Sequence, residues 1–193
     1  MSGSLIVTKD PAERDLQHAV YDYRRHISAY PLLIPNIYCW SWESDLLYIT
    51  KNNFAVEYEI KLTHSDFLAD ANKIHKHTLL AGNRPPGEPR WRMGLIYDPA
   101  QETGPVEFYY VCPVGVIGVD ELPGYAGLFY AEPRKYAEWE HREDWLSDFR
   151  VKLIKKAKRR RLKPFSETQM IALLSKGLER YWRLEKRLRR ATP

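Results

Sequence analysis

The chain reads as an α/β fold: a central mixed sheet of about four or five strands, flanked by helices, with a basic helical extension at the C-terminus. Three observations predict it. Residues 54–62 alternate in type, with Phe54, Val56, Tyr58 and Ile60 on one face and Ala55, Glu57, Glu59 and Lys61 on the other, as side chains do along a strand. Strand-like runs at 46–49, 108–112 and 126–131 are interleaved with a helix-period segment and with breaker-rich stretches. Beyond Pro133 the composition turns basic and helix-forming.

In chain order, residues 11–30 predict a helix, with Asp10 as its cap and Pro11 in the first turn. Leu16, Val20, Tyr23 and Ile27 recur at helical spacing and should face the core. Glu13 and Asp15 fall in the first turn, where the helix dipole favours acids. Pro31 and Pro35 break the helix, and the aromatic run 36–42 predicts a strand leading into Glu43. The runs 46–49 and 54–62 flank the turn cluster Lys51-Asn52-Asn53 and should pair as a hairpin. Thr63 or Ser65 can cap one helix reaching about Leu80, with an Asp70–Lys73 ion pair along it. His75 and His77 are two residues apart and so point different ways, which disfavours zinc.

Residues 81–105 are rich in Gly and Pro, with a candidate strand at 91–97. Arg84, Arg90, Trp91 and Arg92 set cations beside an aromatic ring, a combination that grips a phosphate backbone and stacks on a base, or anchors a packed loop. Strands at 108–112 and 126–131 follow, separated by a turn at 122–125. Residues 136–162 and 166–190 predict helices interrupted by Pro164, with Ser166 and Gln169 forming a capping box. The expected division is a core over 1–132 and a basic helical extension over 133–193.

The 193 residues carry a net charge of +5, distributed unevenly. Residues 133–193 hold nineteen of the thirty Lys/Arg and eight of the twenty-five Asp/Glu, so an acidic core carries a basic tail. That asymmetry suits a cation site beside a polyanion-binding surface. The densest basic run holds Lys155, Lys156, Lys158, Arg159, Arg160 and Arg161, suited to nucleic-acid phosphates. No apolar run approaches the roughly 20 residues that span a bilayer. The first ten residues lack the pattern of a signal peptide. Cys39 and Cys112 read as buried free thiols, which fits a reducing cytoplasm. The chain has no glycine-rich phosphate loop, zinc quartet or nucleophile elbow, which argues against ATP-driven chemistry.

The candidate site is in the hairpin. Pairing across the turn sets Asp45 roughly opposite Glu59, with Lys61 two residues on along the same face. Two hard carboxylate ligands with room for water suit Mg²⁺, and a lysine beside them can orient a water and stabilise charge on a phosphate. Glu57 shares the face and is the reserve ligand; Glu43 shares the parity of Asp45 and ranks below it. Lys73 and Lys76 could hold a phosphate nearby.

Asp45, thirteen residues, then Glu59-Ile60-Lys61 resembles the motif of the PD-(D/E)XK nuclease superfamily, the restriction-endonuclease-like fold. The wider wording, Ser65-Asp66-Phe67, Asp70, Lys76-His77, then Phe108 to Pro113 and Tyr125-Ala126-Gly127-Leu128, is similar to bacterial and phage nucleases of the DNA-repair type. The likeness covers roughly residues 35–132, and departs from the motif where Ser44 stands in place of proline. It implies a Mg²⁺-dependent deoxyribonuclease, with Mn²⁺ as the alternative ion. Asp45, Glu59 and the Ile60 carbonyl would hold the metal, Lys61 would be catalytic, and a first-helix Glu, here Glu13, could approach the metal. Each chain would cut one strand, so a homodimer would supply two sites for a duplex. A DNA-binding module without catalysis, or an interaction protein using its C-terminal helices, stays open on the residues alone.

Overall fold

The computed structural model describes residues 10–28, 31–40, 42–83, 104–134 and 144–191. Its elements are α1 (Glu13–Ile27), β1 (Leu32–Tyr38), β2 (Glu43–Ile49), β3 (Ala55–Ile60), α2 (His64–Asp70), α3 (Ile74–Leu80), β4 (Glu107–Pro113), β5 (Ala126–Pro133), β6 (Phe149–Lys155) and α4 (Glu167–Ala191). The six strands lie in the sheet in chain order. β1, β2 and β3 are antiparallel neighbours, β3, β4 and β5 run parallel, and β6 returns antiparallel to β5. The predicted mixed α/β sheet is therefore present, with six strands among the described residues.

The two sheet faces bury different helices. Leu16, Ala19 and Val20 of α1 pack on Val56, Tyr58 and Ile60 of β3, with Tyr109, Val111 and Phe129 beyond them. On the opposite face, Phe67 of α2, Leu80 of α3 and Leu173 of α4 join Leu47, Phe108, Tyr110 and Leu128. The middle of the sheet is tight. Gly127 pairs with Tyr109, and a Cβ there would lie 2.4 Å from the Tyr109 ring.

The helix α1 starts later than its Asp10 cap predicts, and the Asp15 carboxylate takes the Ala12 N–H instead. Ile27, the last residue of the predicted stripe, is exposed. Three larger expectations are corrected. The strand placed at 36–42 runs from Leu32 to Tyr38 and contains Pro35. β1 is an edge strand, where a residue without an N–H is tolerated. Side chains of α4 cover this edge: Lys176 donates to the Tyr38 carbonyl at 2.9 Å, and Arg180 donates to the carbonyls of Pro35 and Asn36. The single helix expected to Leu80 is two short ones. Lys73 leaves helical geometry (ψ 59°), and its N–H turns back to the Asp70 carbonyl at 2.9 Å.

The third correction concerns the tail. The helix predicted for 136–162 is replaced, where described, by β6 and an extended chain. Phe149 and Val151 alternate inward while Arg150 and Lys152 point out, a two-residue period hidden among charged residues. Residues 156–166 then cross the sheet as extended chain, pinned where Lys158 N–H meets the Tyr125 carbonyl and Arg160 N–H meets that of Val106. The β5–β6 pairing thus ties residues after 132 into the sheet. The capping box is present, with Ser166 N–H to Gln169 at 2.9 Å and Gln169 N–H to Ser166 Oγ at 3.3 Å. The candidate strand at 91–97, with Arg84, Arg90, Trp91 and Arg92, lies outside the described residues. Among the described residues no helix is long and apolar enough to cross a membrane.

Candidate functional site

The polar face of β3 is not solvated. α2 and α3 close over it, leaving Glu57 0%, Glu59 1% and Lys61 8% exposed. Buried charges require partners, and these come from three elements. Glu59 Oε1 takes the ammonium of Lys61 at 2.7 Å and that of Lys73 at 3.0 Å, while Oε2 takes Lys76 at 2.6 Å. The break between α2 and α3 turns Asp70, Lys73 and Lys76 onto the strand together. Asp70 Oδ1 lies 2.7 Å from Lys73 and 3.3 Å from Lys61. Its Oδ2 accepts from the Tyr110 hydroxyl at 3.0 Å and lies 3.1 Å from His77 Nε2.

Burial acts to raise the Asp70 carboxyl, but the His77 hydrogen bond and the lysine charges outweigh it and hold it well below the usual carboxylate range. His77 is itself held: Nε2 lies 2.7 Å from the Asp70 carbonyl, which only accepts, so Nε2 carries the proton there. Nδ1 lies 2.5 Å from the Tyr125 hydroxyl.

Asp45 stands at the open side of this network. Antiparallel pairing of Leu46 with Tyr58 brings it beside the end of β3, where Oδ2 accepts the Ile60 N–H at 2.7 Å. Burial and the nearby charge of Glu59 push its carboxyl up to about 7, against the Ile60 N–H and Lys61, which pull it down. A cleft of ≈ 370 Å³ opens here, lined among others by Glu13, Asp45, Glu59, Lys61, Asp70 and Lys73. Glu13 reaches it from the first turn of α1, and Gln17 fixes that approach by donating to Glu13 at 3.1 Å, Asn36 at 2.8 Å and the Asp45 carbonyl at 3.0 Å.

The structure thus brings Asp45, Glu59, Ile60 and Lys61 to one cleft, with the first-helix Glu13 at its rim, and adds Asp70. Glu57, the reserve ligand, does not line it. Its carboxylate accepts from the indole N–H groups of Trp42 at 2.9 Å and Trp40 at 3.1 Å, with Lys76 at 3.5 Å. Burial raises the Glu57 carboxyl, opposed chiefly by Lys76. Glu43 is exposed at the start of β2. Lys73 and Lys76, placed by sequence near a phosphate, turn inward to carboxylates; Lys76 is 2% exposed and reaches no solvent-borne ligand. The carboxylates of Glu57, Glu59 and Asp70 hold its ammonium charged against burial.

The basic run lies away from the cleft. Lys155 ends β6, Lys156, Lys158 and Arg161 are exposed, Arg159 pairs with Glu107 at 3.1 Å, and Arg160 donates to the Pro105 carbonyl. Tyr110, Tyr125 and Gln17 are neighbours of the candidate site to which the sequence reading gave no role. Tyr110 and Tyr125 stand in the segments that carry the resemblance, and Gln17 has only its polar side chain on a core-facing helix as a signal.

The donor set suits a hard divalent cation. Among the described residues no three His, Cys, Asp or Glu side chains form a ready-made metal cage. Mg²⁺ needs no more than one or two carboxylates with its remaining positions held by water or carbonyl oxygen, and Asp45, Glu59 and the Ile60 carbonyl are the groups that could hold it.

No family model matches the chain, and no curated protein matches it. Among solved structures it is similar to a protein of unknown function from Silicibacter pomeroyi, at 12% identity and a TM-score of 0.53, over 95% of this chain and 94% of that one. At that identity the likeness concerns the fold alone.

Proposed function

We propose that the chain is a Mg²⁺-dependent nuclease that hydrolyses phosphodiester bonds in DNA. The observation that carries the reading is the meeting of Asp45, Glu59 and Lys61 in one cleft at the ends of adjacent strands. Asp45 and Glu59 would hold the cation with the Ile60 carbonyl. When bound, the cation would supply positive charge to the phosphoryl oxygens and acidify a water. Lys61 would orient the attacking water and donate to the phosphate. The Ile60 N–H fixes the Asp45 carboxylate, and Gln17 holds Glu13 at the rim. The exposed Lys156, Lys158 and Arg161 would meet phosphates farther along the strand. Nothing in these contacts reads a base, so the expected selectivity is for DNA shape.

A second reading has its own observation. Three lysines already neutralise Glu59, which suits a DNA-binding module of the same fold without catalysis. The two readings separate in one experiment: cleavage of labelled single strands, duplexes and junctions by wild type and Lys61→Ala, each with Mg²⁺, Mn²⁺ or EDTA at low salt. Metal-dependent cutting that disappears in the variant, with its circular dichroism retained, is the expected result. Salt-sensitive binding by both proteins without cutting would establish the second reading. Equal cutting by both would remove Lys61 from the mechanism.

A further inference from the structure

Resting on that reading, we infer that Asp70 is a positioning residue: it holds Lys61 and Lys73 in the cleft when a cation takes the carboxylate of Glu59. Both oxygens of Glu59 are engaged by ammonium groups at 3.0 Å or less. A cation at Glu59 must displace at least some of them, and a displaced buried ammonium needs another anion. Asp70 is that anion. Lys61 bridges Glu59 and Asp70, at 2.7 and 3.3 Å, and Lys73 bridges them at 3.0 and 2.7 Å. Lys76 reaches Asp70 at 4.0 Å.

Asp70 is also built to stay in place. Its side chain is fully buried, one oxygen receives the Tyr110 hydroxyl of β4, and His77 of α3 lies against the same oxygen. His77 in turn is backed by Tyr125. Oδ2 is fixed by donors that are not lysines, while Oδ1 faces the lysines. The ammonium groups are therefore shared between Glu59 and a fixed anchor. Lys61 keeps a counter-ion whether or not Glu59 is coordinated, so its ammonium stays beside the reacting phosphate.

Removing the Asp70 charge would leave the lysines to Glu59 and Glu57. They would then compete with the cation for Glu59. Asp66 lines the same cleft from the exposed side of α2, with its backbone N–H on the Thr63 cap. It carries the same charge without the anchoring geometry and is the control for simple electrostatics.

The test is Mn²⁺ binding to the full chain, followed by electron paramagnetic resonance, with the Lys61 ammonium observed by NMR and assigned through Lys61→Ala. Asp70→Asn should weaken Mn²⁺ by about tenfold or more, as loss of an outer partner of a metal ligand does, and should erase or broaden the Lys61 signal. Asp66→Asn should cost less than about threefold and leave that signal sharp. Tyr110→Phe keeps the Asp70 charge and loosens its hold; an intermediate loss is expected, and it serves should Asp70→Asn fail to fold. Equal effects of Asp70→Asn and Asp66→Asn, or an unchanged Lys61 signal in both Asp70→Asn and Tyr110→Phe, would overturn the inference while leaving the nuclease reading intact. Wild type that binds no Mn²⁺ would overturn the metal-dependent reading, and this inference with it.

Discussion

The two faces of β3 solve the same burial problem with opposite chemistry. On the α1 face, Val56, Tyr58 and Ile60 lose water against Leu16, Ala19 and Val20, and the Tyr58 hydroxyl accepts from Arg24 of α1. On the α2–α3 face, Glu57, Glu59 and Lys61 are as deeply buried, and Asp70, Lys73 and Lys76 converge on them as partners. The first face gains from area removed from water, so it tolerates approximate partners. The second faces a desolvation cost that only complete pairing offsets. Packing alone would not require the second face, and the proposed nuclease chemistry would account for its cost.

The comparison is broken most severely by removing one partner from the charged face. Lys76→Met should cost about 3–5 kcal/mol, because Glu57 and Glu59 are left buried with less compensation. Tyr58→Phe on the other face removes the hydroxyl that accepts from two nitrogens of Arg24, and should cost about 1–2 kcal/mol. Urea denaturation of both variants at neutral pH measures the gap. Comparable losses would mean that the charged network is no more demanding than ordinary packing.

A smaller effect sharpens the same contrast through pH. The folded-state Asp45 carboxyl, at about 7, lies above its usual 3.8. Between those values the folded chain holds a proton that the unfolded chain has released. The associated stability is therefore present below about pH 4 and is lost as pH rises through about 7. Wild type should lose up to about 4 kcal/mol over that window from this group, a loss that Asp45→Asn abolishes. A divalent cation at pH 8 should restore stability to wild type and not to the variant. Parallel pH profiles for the two proteins would show that Asp45 is not perturbed.

The smallest effect on folding is expected outside both faces. Replacing Lys156, Lys158 and Arg161 together with Gln should leave the urea midpoint nearly unchanged, since all three are exposed. It should lower the slope of log affinity for DNA against log salt by about one for each phosphate left without its cation. An unchanged slope would move the DNA path away from this segment.

The hairpin was legible because strand alternation and turn chemistry are local. Asp45 opposite Glu59 follows from counting outward from Lys51-Asn52-Asn53, and the register Leu46 to Tyr58 agrees with that count. The Asp70–Lys73 pair was legible for the same reason, being only three residues apart. Two expectations that failed depended on partners far along the chain. Residues 149–155 carry enough Lys and Arg to read as helix, yet the exposed edge of β5 recruits them as a strand. Lys76 reads as a surface cation, and becomes a core residue because two carboxylates on β3 wait beneath α3.

The sequence by itself determined the alternating strand, the hairpin register, the basic tail and the identity of the candidate ligands, because each depends on neighbours within about fifteen residues. Only the tertiary structure decided which of those charges would be buried and with whom. Charge pairing in a low-dielectric interior is set by where whole elements pack, and α2, α3, β3 and β4 meet at Glu59 and Asp70 through contacts that no local period encodes.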